Sequence, residues 1–238
     1  MPGWFTGEME WPLLASLAPE QRTELLSRTT IRDVVRGQFV VREGEPSDSF
    51  HLIEEGHLAV RVSTADGDTA TLNVLGPGDS FGELSLLRDD APTRSASVVA
   101  LERSRTRALS AADFAGFRRD HHGAEHLLLQ LLGQRVEELS TRLVEVMYDD
   151  LGRRVERRLR DLVAAYATGD DGPVEIPLTQ EDLAEIVGAT RPSTNQALHD
   201  LAARGVVHLG RGRISVLDPS SLDGARPAGV ARRPGVTR

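Results

Sequence analysis

Two stretches hold residues whose types and spacing could do chemistry. In "FGELSLLRDDAPTRSASV", Glu83 follows Gly82, and Arg94 and Ser95 stand eleven and twelve residues further on. A carboxylate accepts hydrogen bonds, a guanidinium pairs with an anion at two points, and a hydroxyl donates. A glycine lets backbone N–H groups come close to an anion, and here those groups would lie around Gly82 and Leu84. The same residues also fit a plain turn in which Glu83 pairs with Arg94 and no guest is held. The second stretch, "LTQEDLAEIVGATRPSTNQALHDLAARGVVHLGRGRISVL", has Thr179 and Asp182 at capping-box spacing, Gly188 at a stop, Thr190 as a new cap and Pro192 near a first turn. Two short helices on either side of a glycine-containing turn read as a helix-turn-helix, followed by a two-stranded wing with Arg211 at its tip. Arg191, Asn195 and Gln196 open the second helix. Arginine forks onto guanine, and asparagine or glutamine onto adenine. A helical hairpin with these residues on a solvated surface is the plainer alternative.

The elements that must position these groups differ along the chain. Glycines at 37, 44, 56, 67, 76, 78 and 82 separate short β-branched runs, and Asp66-Gly67 marks a hairpin. This predicts a β-roll domain over 1–110, its strands in 31–110 preceded by a short helix at about 18–27. The period then changes. Leu129, Leu132, Val136, Leu139, Leu143 and Val146 follow 3-4-3-4-3 spacing, an a/d seam of about two and a half heptads. It predicts a dimerisation helix over 111–147, the alternative being an amphipathic helix lying on its own domain. Asp149 or Asp150 can cap a further helix, and Gly152 makes this a candidate hinge. The DNA-binding region would span 148–218, with a turn or hairpin at 167–177. The Gly-, Pro- and Arg-rich residues 219–238 read as a flexible basic tail.

Charge follows the same division. The chain of 238 residues has a formal charge of −8, which by itself argues against nucleic acid, but residues 177–238 hold 8 Arg and 6 acids while 1–176 hold 20 Arg and 30 acids. There is no lysine, so every basic residue can make forked contacts to phosphate or guanine. The absence of cysteine excludes disulfides and Cys-ligated zinc or iron–sulfur clusters. The N-terminal residues do not resemble a secretory signal, and no run approaches the length of a membrane span, so a cytoplasmic protein is expected. An enzyme would have to use the seven histidines. His51 and His57 lack the spacing of a β-roll metal site. His122 and His126, at i and i+4, fit a metal or a solvated helix face. No Ser–His–Asp constellation or P-loop is present, so a β-roll metalloenzyme is a distant alternative to a non-enzyme.

In this order, over about residues 12–218, the chain resembles the cyclic-AMP receptor protein / fumarate-nitrate regulator family of bacterial transcription factors. "FGELSLL…TRSASV" looks like that family's phosphate-binding cassette, and "LTQEDLAEIVGATRPSTNQAL" like its DNA-binding signature. The resemblance implies an α+β fold: a cyclic-nucleotide-binding β-roll (a double-stranded jelly roll), a long dimerisation helix and a C-terminal winged helix-turn-helix. It implies a homodimer through helix 127–147 and double-stranded DNA and RNA polymerase as partners; no metal is expected, and the missing cysteines exclude the family's iron–sulfur branch. The effector would be a cyclic nucleotide, cyclic AMP first. Glu83 would accept from the ribose 2′-hydroxyl, Arg94 would pair with the phosphate, Ser95 would donate to it, and Gly82 and Leu84 would complete the nest. The implied DNA-contacting set is Thr179, Thr190, Arg191, Ser193, Asn195, Gln196 and Arg211.

Two departures from the family pattern stand out. Members that respond to cyclic AMP often place Thr-Ser or Thr-Asn on the dimer helix against the adenine amino group. Aligned on Gly152, those positions hold Glu138 and Leu139, with Ser140 and Thr141 two residues later. In the recognition helix Pro192 stands where an acid often reads cytosine, and Gln196 where a second arginine often sits, so a different operator half-site is expected. A regulator of the same build that needs no ligand, or answers another signal, shares every DNA feature.

Overall fold

The computed structural model describes residues 11–63, 69–87, 93–121, 123–167 and 172–222. The chain divides into two compact units, one up to Tyr148 and the other from Asp149.

The first unit opens with a 3-10 turn at Pro12–Ser16 and helix α1 (Pro19–Ser27). Strands β1 (Thr30–Val34), β2 (Phe39–Val41), β3 (Ser49–Glu55), β4 (Leu58–Ser63), β5 (Thr69–Leu75) and β6 (Ser80–Phe81) follow. A single helical turn α2 (Leu84–Leu87), strands β7 (Ser97–Ala100) and β8 (Ser104–Ser110), and helices α3 (Ala111–Asp120) and α4 (Gly123–Tyr148) complete it. The strands form two four-stranded antiparallel sheets, ordered β1-β8-β3-β6 and β2-β7-β4-β5. The expected Asp66-Gly67 hairpin turn lies outside the described residues; the strands flanking it, β4 and β5, pair antiparallel from Leu58↔Leu75 to Ser63↔Thr69.

Alternation along β3 shows how the layers are made, since successive side chains point to opposite faces. Ile53 joins Val34, Leu58, Leu75, Phe81 and Val98 in one core. Phe50 and Leu52 point the other way, into a second core with Leu14, Leu25, Phe114, Phe117, Leu127 and Leu131. That second core fastens the helices to the roll. It also explains why the expected continuous 111–147 helix is two helices. Ser110 caps α3 by accepting from the Asp113 N–H, Phe114 and Phe117 are buried against the sheet, and His121 ends the helix in extended conformation. The His121 side chain is tied to Glu24 at 2.9 Å, and α4 starts afresh at Gly123. The first turns of α4 bury Leu127, Leu128 and Leu131, whereas the a/d residues Leu129, Val136, Leu139, Leu143 and Val146 are 61–67% exposed.

The second unit comprises α5 (Leu151–Tyr166), β9 (Val174–Ile176), α6 (Gln180–Val187), α7 (Arg191–Ala203), β10 (Val207–Gly210), β11 (Arg213–Val216) and a 3-10 turn at Pro219–Leu222. Asp150 caps α5 by accepting from Arg153 N–H, and Val155, Leu159 and Leu162 give it one buried stripe. Thr179 and Asp182 form the capping box of α6, which Gly188 ends in left-handed conformation at φ 69°. Thr190 caps α7, with Pro192 in its first turn. Leu183, Ala184 and Val187 of α6 and Thr194, Leu198 and Leu201 of α7 are buried. The expected two-stranded wing is a three-stranded sheet ordered β10-β11-β9. Val174 and Ile176, from the stretch expected to be only a turn or hairpin, pair with Val216 and Ile214. The tail from 223 onward lies outside the described residues.

Candidate functional site

A cavity of about 310 Å³ in the first unit is lined by residues of the roll and by one face of α4. Arg94 forms its polar wall. The backbone there is fixed by Arg94 N–H donating to Glu45 O (2.8 Å) and Gly44 N–H donating to Arg94 O (2.9 Å). The residue is 6% exposed. Nη1 donates to the Ser49 carbonyl at 2.8 Å and Nη2 to Ser49 Oγ at 2.9 Å, with Asp48 at 3.5 Å. Nε is buried with no hydrogen-bond partner. Burial pulls the guanidinium below the ordinary arginine range, opposed by Asp48. Gly82 makes this placement possible: it sits at φ +85°, and a Cβ there would lie 2.7 Å from Arg94 Nη1. Leu84 and Ser95 also line the cavity.

Glu83 does not pair with Arg94, which corrects the plain-turn alternative. Its carboxylate instead meets Arg135 Nε of α4 at 3.3 Å. Arg135 also donates to the Ser80 carbonyl at 2.6 Å and to Glu138 Oε2 at 2.8 Å. Burial lowers its affinity for the proton, but Glu83, Glu138 and Asp79 outweigh that and hold the group above the ordinary arginine value. Two turns beyond Arg135, Arg142 Nη2 donates to Asn73 Oδ1 on β5 at 2.6 Å. Glu138 and Leu139 line the cavity; Ser140 and Thr141 do not, and Ser140 Oγ donates to the Val136 carbonyl. Reasoning from the sequence missed Arg135 and Arg142. Their spacing with Glu138 (i, i+3 and i+7) puts the three on one helix face, a signal hidden by the stronger a/d seam beside it.

His51 and His57 are engaged within the roll. His51 lies 3.2 Å from both Ser49 Oγ and Thr106 Oγ1 and stacks on Phe81 with centroids 4.6 Å apart. Burial, with Arg94 and Arg32 nearby, pushes its pKa down to about 3, so it is neutral. His57 bonds Glu102 at 2.5 Å. The 122/126 pair lies partly outside the described residues, and among the described residues no three His, Asp or Glu side chains gather as a metal site.

In the second unit Arg191 is exposed and 3.7 Å from Glu181. Thr190 caps α7, and its hydroxyl bonds Ser193 Oγ at 2.9 Å. Thr179 is engaged with Asp182. Gln196 is exposed and donates to Asp200 at 3.0 Å. Asn195 is half-buried, with Oδ1 enclosed and unpartnered. Arg211 is exposed in the turn between β10 and β11, where Gly212 has φ +72°. His199, exposed one turn beyond Gln196, is a further residue on this face.

The cyclic nucleotide-binding domain family matches residues 31–121, and the Crp-like helix-turn-helix domain family matches residues 153–224. The CRP-like cAMP-activated global transcriptional regulator of Mycobacterium tuberculosis is 30% identical over 192 residues, covering 80% of this chain and 85% of its own. The Cyclic AMP receptor protein of Thermus thermophilus is 32% identical over 212 residues, covering 89% and 95%. The crystal structure of the Thermus thermophilus Catabolite Activator Protein has a TM-score of 0.52 at 31% identity, covering 89% and 96%. Among the described residues no helix is long and apolar enough to cross a membrane. Likeness at this level, across both units and in the same order, means that the chain belongs to the cyclic-AMP receptor protein / fumarate-nitrate regulator family of DNA-binding transcription regulators.

Proposed function

We propose that a cyclic nucleotide, cyclic AMP first, occupies the cavity of the roll and controls DNA binding by a homodimer of this chain. The observation that carries this reading is Arg94: a buried guanidinium with an unpartnered Nε, wedged against a glycine at the cavity wall. Burying such a cation costs several kcal/mol, and the exposed Asp48 carboxylate 3.5 Å away offsets only part of that. A cyclic phosphate supplies a second anion and accepts from the guanidinium and from Ser95. Glu83 accepts from the ribose 2′-hydroxyl, and Arg135 holds its carboxylate in place. Glu138, Leu139 and Arg142 line the α4 side of the cavity, and in this reading the base extends toward them. The naming of both curated relatives for cyclic AMP supports that effector.

Ligand contacts to Arg135, Glu138 and Leu139 fall on the same helix as the exposed seam. A nucleotide therefore favours one arrangement of the dimer helix through its differential contacts with it. The productive arrangement presents two recognition helices about 34 Å apart, one turn of DNA. In this reading α7 enters the major groove with Arg191 and Gln196, and Arg211 reaches the backbone from the wing, within a DNA-binding region at 148–218. The regulator acts in the cytoplasm with RNA polymerase as its partner, catalyses nothing, and uses no iron–sulfur cluster, the chain having no cysteine. Calorimetric titration with cyclic AMP tests the ligand. Saturable binding at one site per chain is expected. No heat with cyclic AMP or cyclic GMP at millimolar concentration would overturn it.

A further inference from the structure

We propose that Gln196 reads an adenine in the operator half-site and that Asp200 is the residue that positions it for that contact. The inference rests on the reading of α7 as the DNA-contacting helix and adds to it a base and a positioning residue.

The buried residues of α7 fix which side faces outward. Thr194, Leu198 and Leu201 turn inward, and Pro192, Gln196, His199 and Asp200 are exposed on the opposite side. Gln196 Nε2 lies 3.0 Å from Asp200 Oδ1, one turn along the helix. An ionised carboxylate only accepts hydrogen bonds, so the amide nitrogen, not the carbonyl, must face Asp200. That settles the orientation of the amide by chemistry. With Asp200 taking the N–H anti to the carbonyl, the carbonyl oxygen and the N–H beside it form the free edge. An acceptor beside a donor is the pattern that pairs with adenine, whose N6 amino group donates and whose N7 accepts. Asn195 carries the same amide but is half-buried with its Oδ1 enclosed, so the outward amide belongs to Gln196.

Asp200 is otherwise out of place. A carboxylate on a helix that faces DNA repels phosphate and lowers affinity for every sequence. Holding a long side chain in its reading rotamer offsets that loss, because the entropy of ordering Gln196 is met before DNA arrives.

The test is selection from a random double-stranded DNA library by the full-length protein at saturating cyclic AMP, followed by affinity measurements on the selected site. The wild type should select an adenine whose replacement by 7-deazaadenine, which lacks the N7 acceptor, weakens binding. Gln196→Ala should lose preference at that position by roughly tenfold or more. Asp200→Ala and Asp200→Asn both remove the charge, so both should bind non-specific DNA more tightly. Only Asp200→Asn keeps an acceptor for the Gln196 amide. It also adds a donor that lets the Gln196 amide turn over, so it should retain only part of the adenine preference, whereas Asp200→Ala should lose it by roughly threefold. An adenine preference in Asp200→Ala equal to that of the wild type would overturn the positioning role. An unchanged selected site in Gln196→Ala would overturn the adenine assignment while leaving α7 as the DNA helix. Failure of the wild type to select any sequence would overturn the DNA-reading role of α7 itself.

Discussion

A Cβ placed on Gly82 would stand 2.7 Å from Arg94 Nη1 and 2.7 Å from the Ser49 carbonyl that Nη1 bonds. The glycine and the arginine, twelve positions apart in sequence, thus form one device. Gly82→Ala should cost about 1–2 kcal/mol from its left-handed backbone, and should also push the guanidinium off its seat. Gly37 has a similar φ of +80° but nothing within 4 Å of its Cβ position. Gly37→Ala should therefore lose only the backbone part of that stability in urea and keep its affinity for cyclic AMP, while Gly82→Ala loses more stability and the affinity as well. Equal nucleotide affinity in the two variants would contradict the placement of Arg94.

The Glu83–Arg135 pair predicts how the sugar is recognised. Wild-type protein should prefer cyclic AMP to its 2′-deoxy analogue by about tenfold to a hundredfold, the range for a hydrogen bond to a charged acceptor. Glu83→Ala should abolish the preference. Arg135→Gln should shrink it, because the carboxylate is then free to turn away. Affinity for the 2′-deoxy analogue should change little in Glu83→Ala. Calorimetry with both ligands measures all four quantities.

The exposed stripe of α4 predicts the assembly. Leu143 is 61% exposed in the single chain, so Leu143→Asp should leave the helical content of the chain unchanged by circular dichroism. In a seam it sets two carboxylates in an apolar layer, and dimer dissociation should strengthen by at least about tenfold. Sedimentation equilibrium reads this directly. A variant as dimeric as wild type would return α4 to the alternative of a helix serving its own domain.

His51 predicts an acid-sensitive fold. Its folded pKa of about 3 lies below the ordinary 6.5, so the unfolded chain takes up a proton that the folded chain refuses. The stability it contributes is complete above pH 6.5 and is lost as pH falls from there toward 3, at no more than about 1.4 kcal/mol per pH unit. His51→Asn retains a polar group for Ser49 and Thr106 but cannot titrate. Urea midpoints at pH 7, 6 and 5 should fall less steeply in the variant than in wild type.

Features written locally in the chain were legible. Thr179 with Asp182, Gly188 and Thr190 specify caps and stops within a few residues of themselves, and those helices stand at their expected places. The glycine-punctuated runs gave the roll because strand length and turn chemistry are also local. What escaped depended on distant residues. Nothing near Val174 announces that it pairs with Val216, so the wing gained a third strand. The break between α3 and α4 arises where Phe114 and Phe117 meet a sheet built from residues far earlier in the chain. The cassette was visible as a set of types, but the partner of Glu83 was not. Arg94 was the nearer of the two cations in sequence, yet it is drawn to Ser49, and Arg135 approaches from a helix whose visible signal was the seam.

The most direct test is the affinity for the selected operator, measured by fluorescence anisotropy with and without cyclic AMP, in wild type and in Arg94→Ala. Coupling of the usual size predicts that cyclic AMP tightens DNA binding by the wild type by about fivefold or more, and that Arg94→Ala shows no shift. Wild-type curves that coincide with no ligand, cyclic AMP, cyclic GMP and cyclic di-GMP would contradict the account and leave a regulator that binds DNA without a nucleotide.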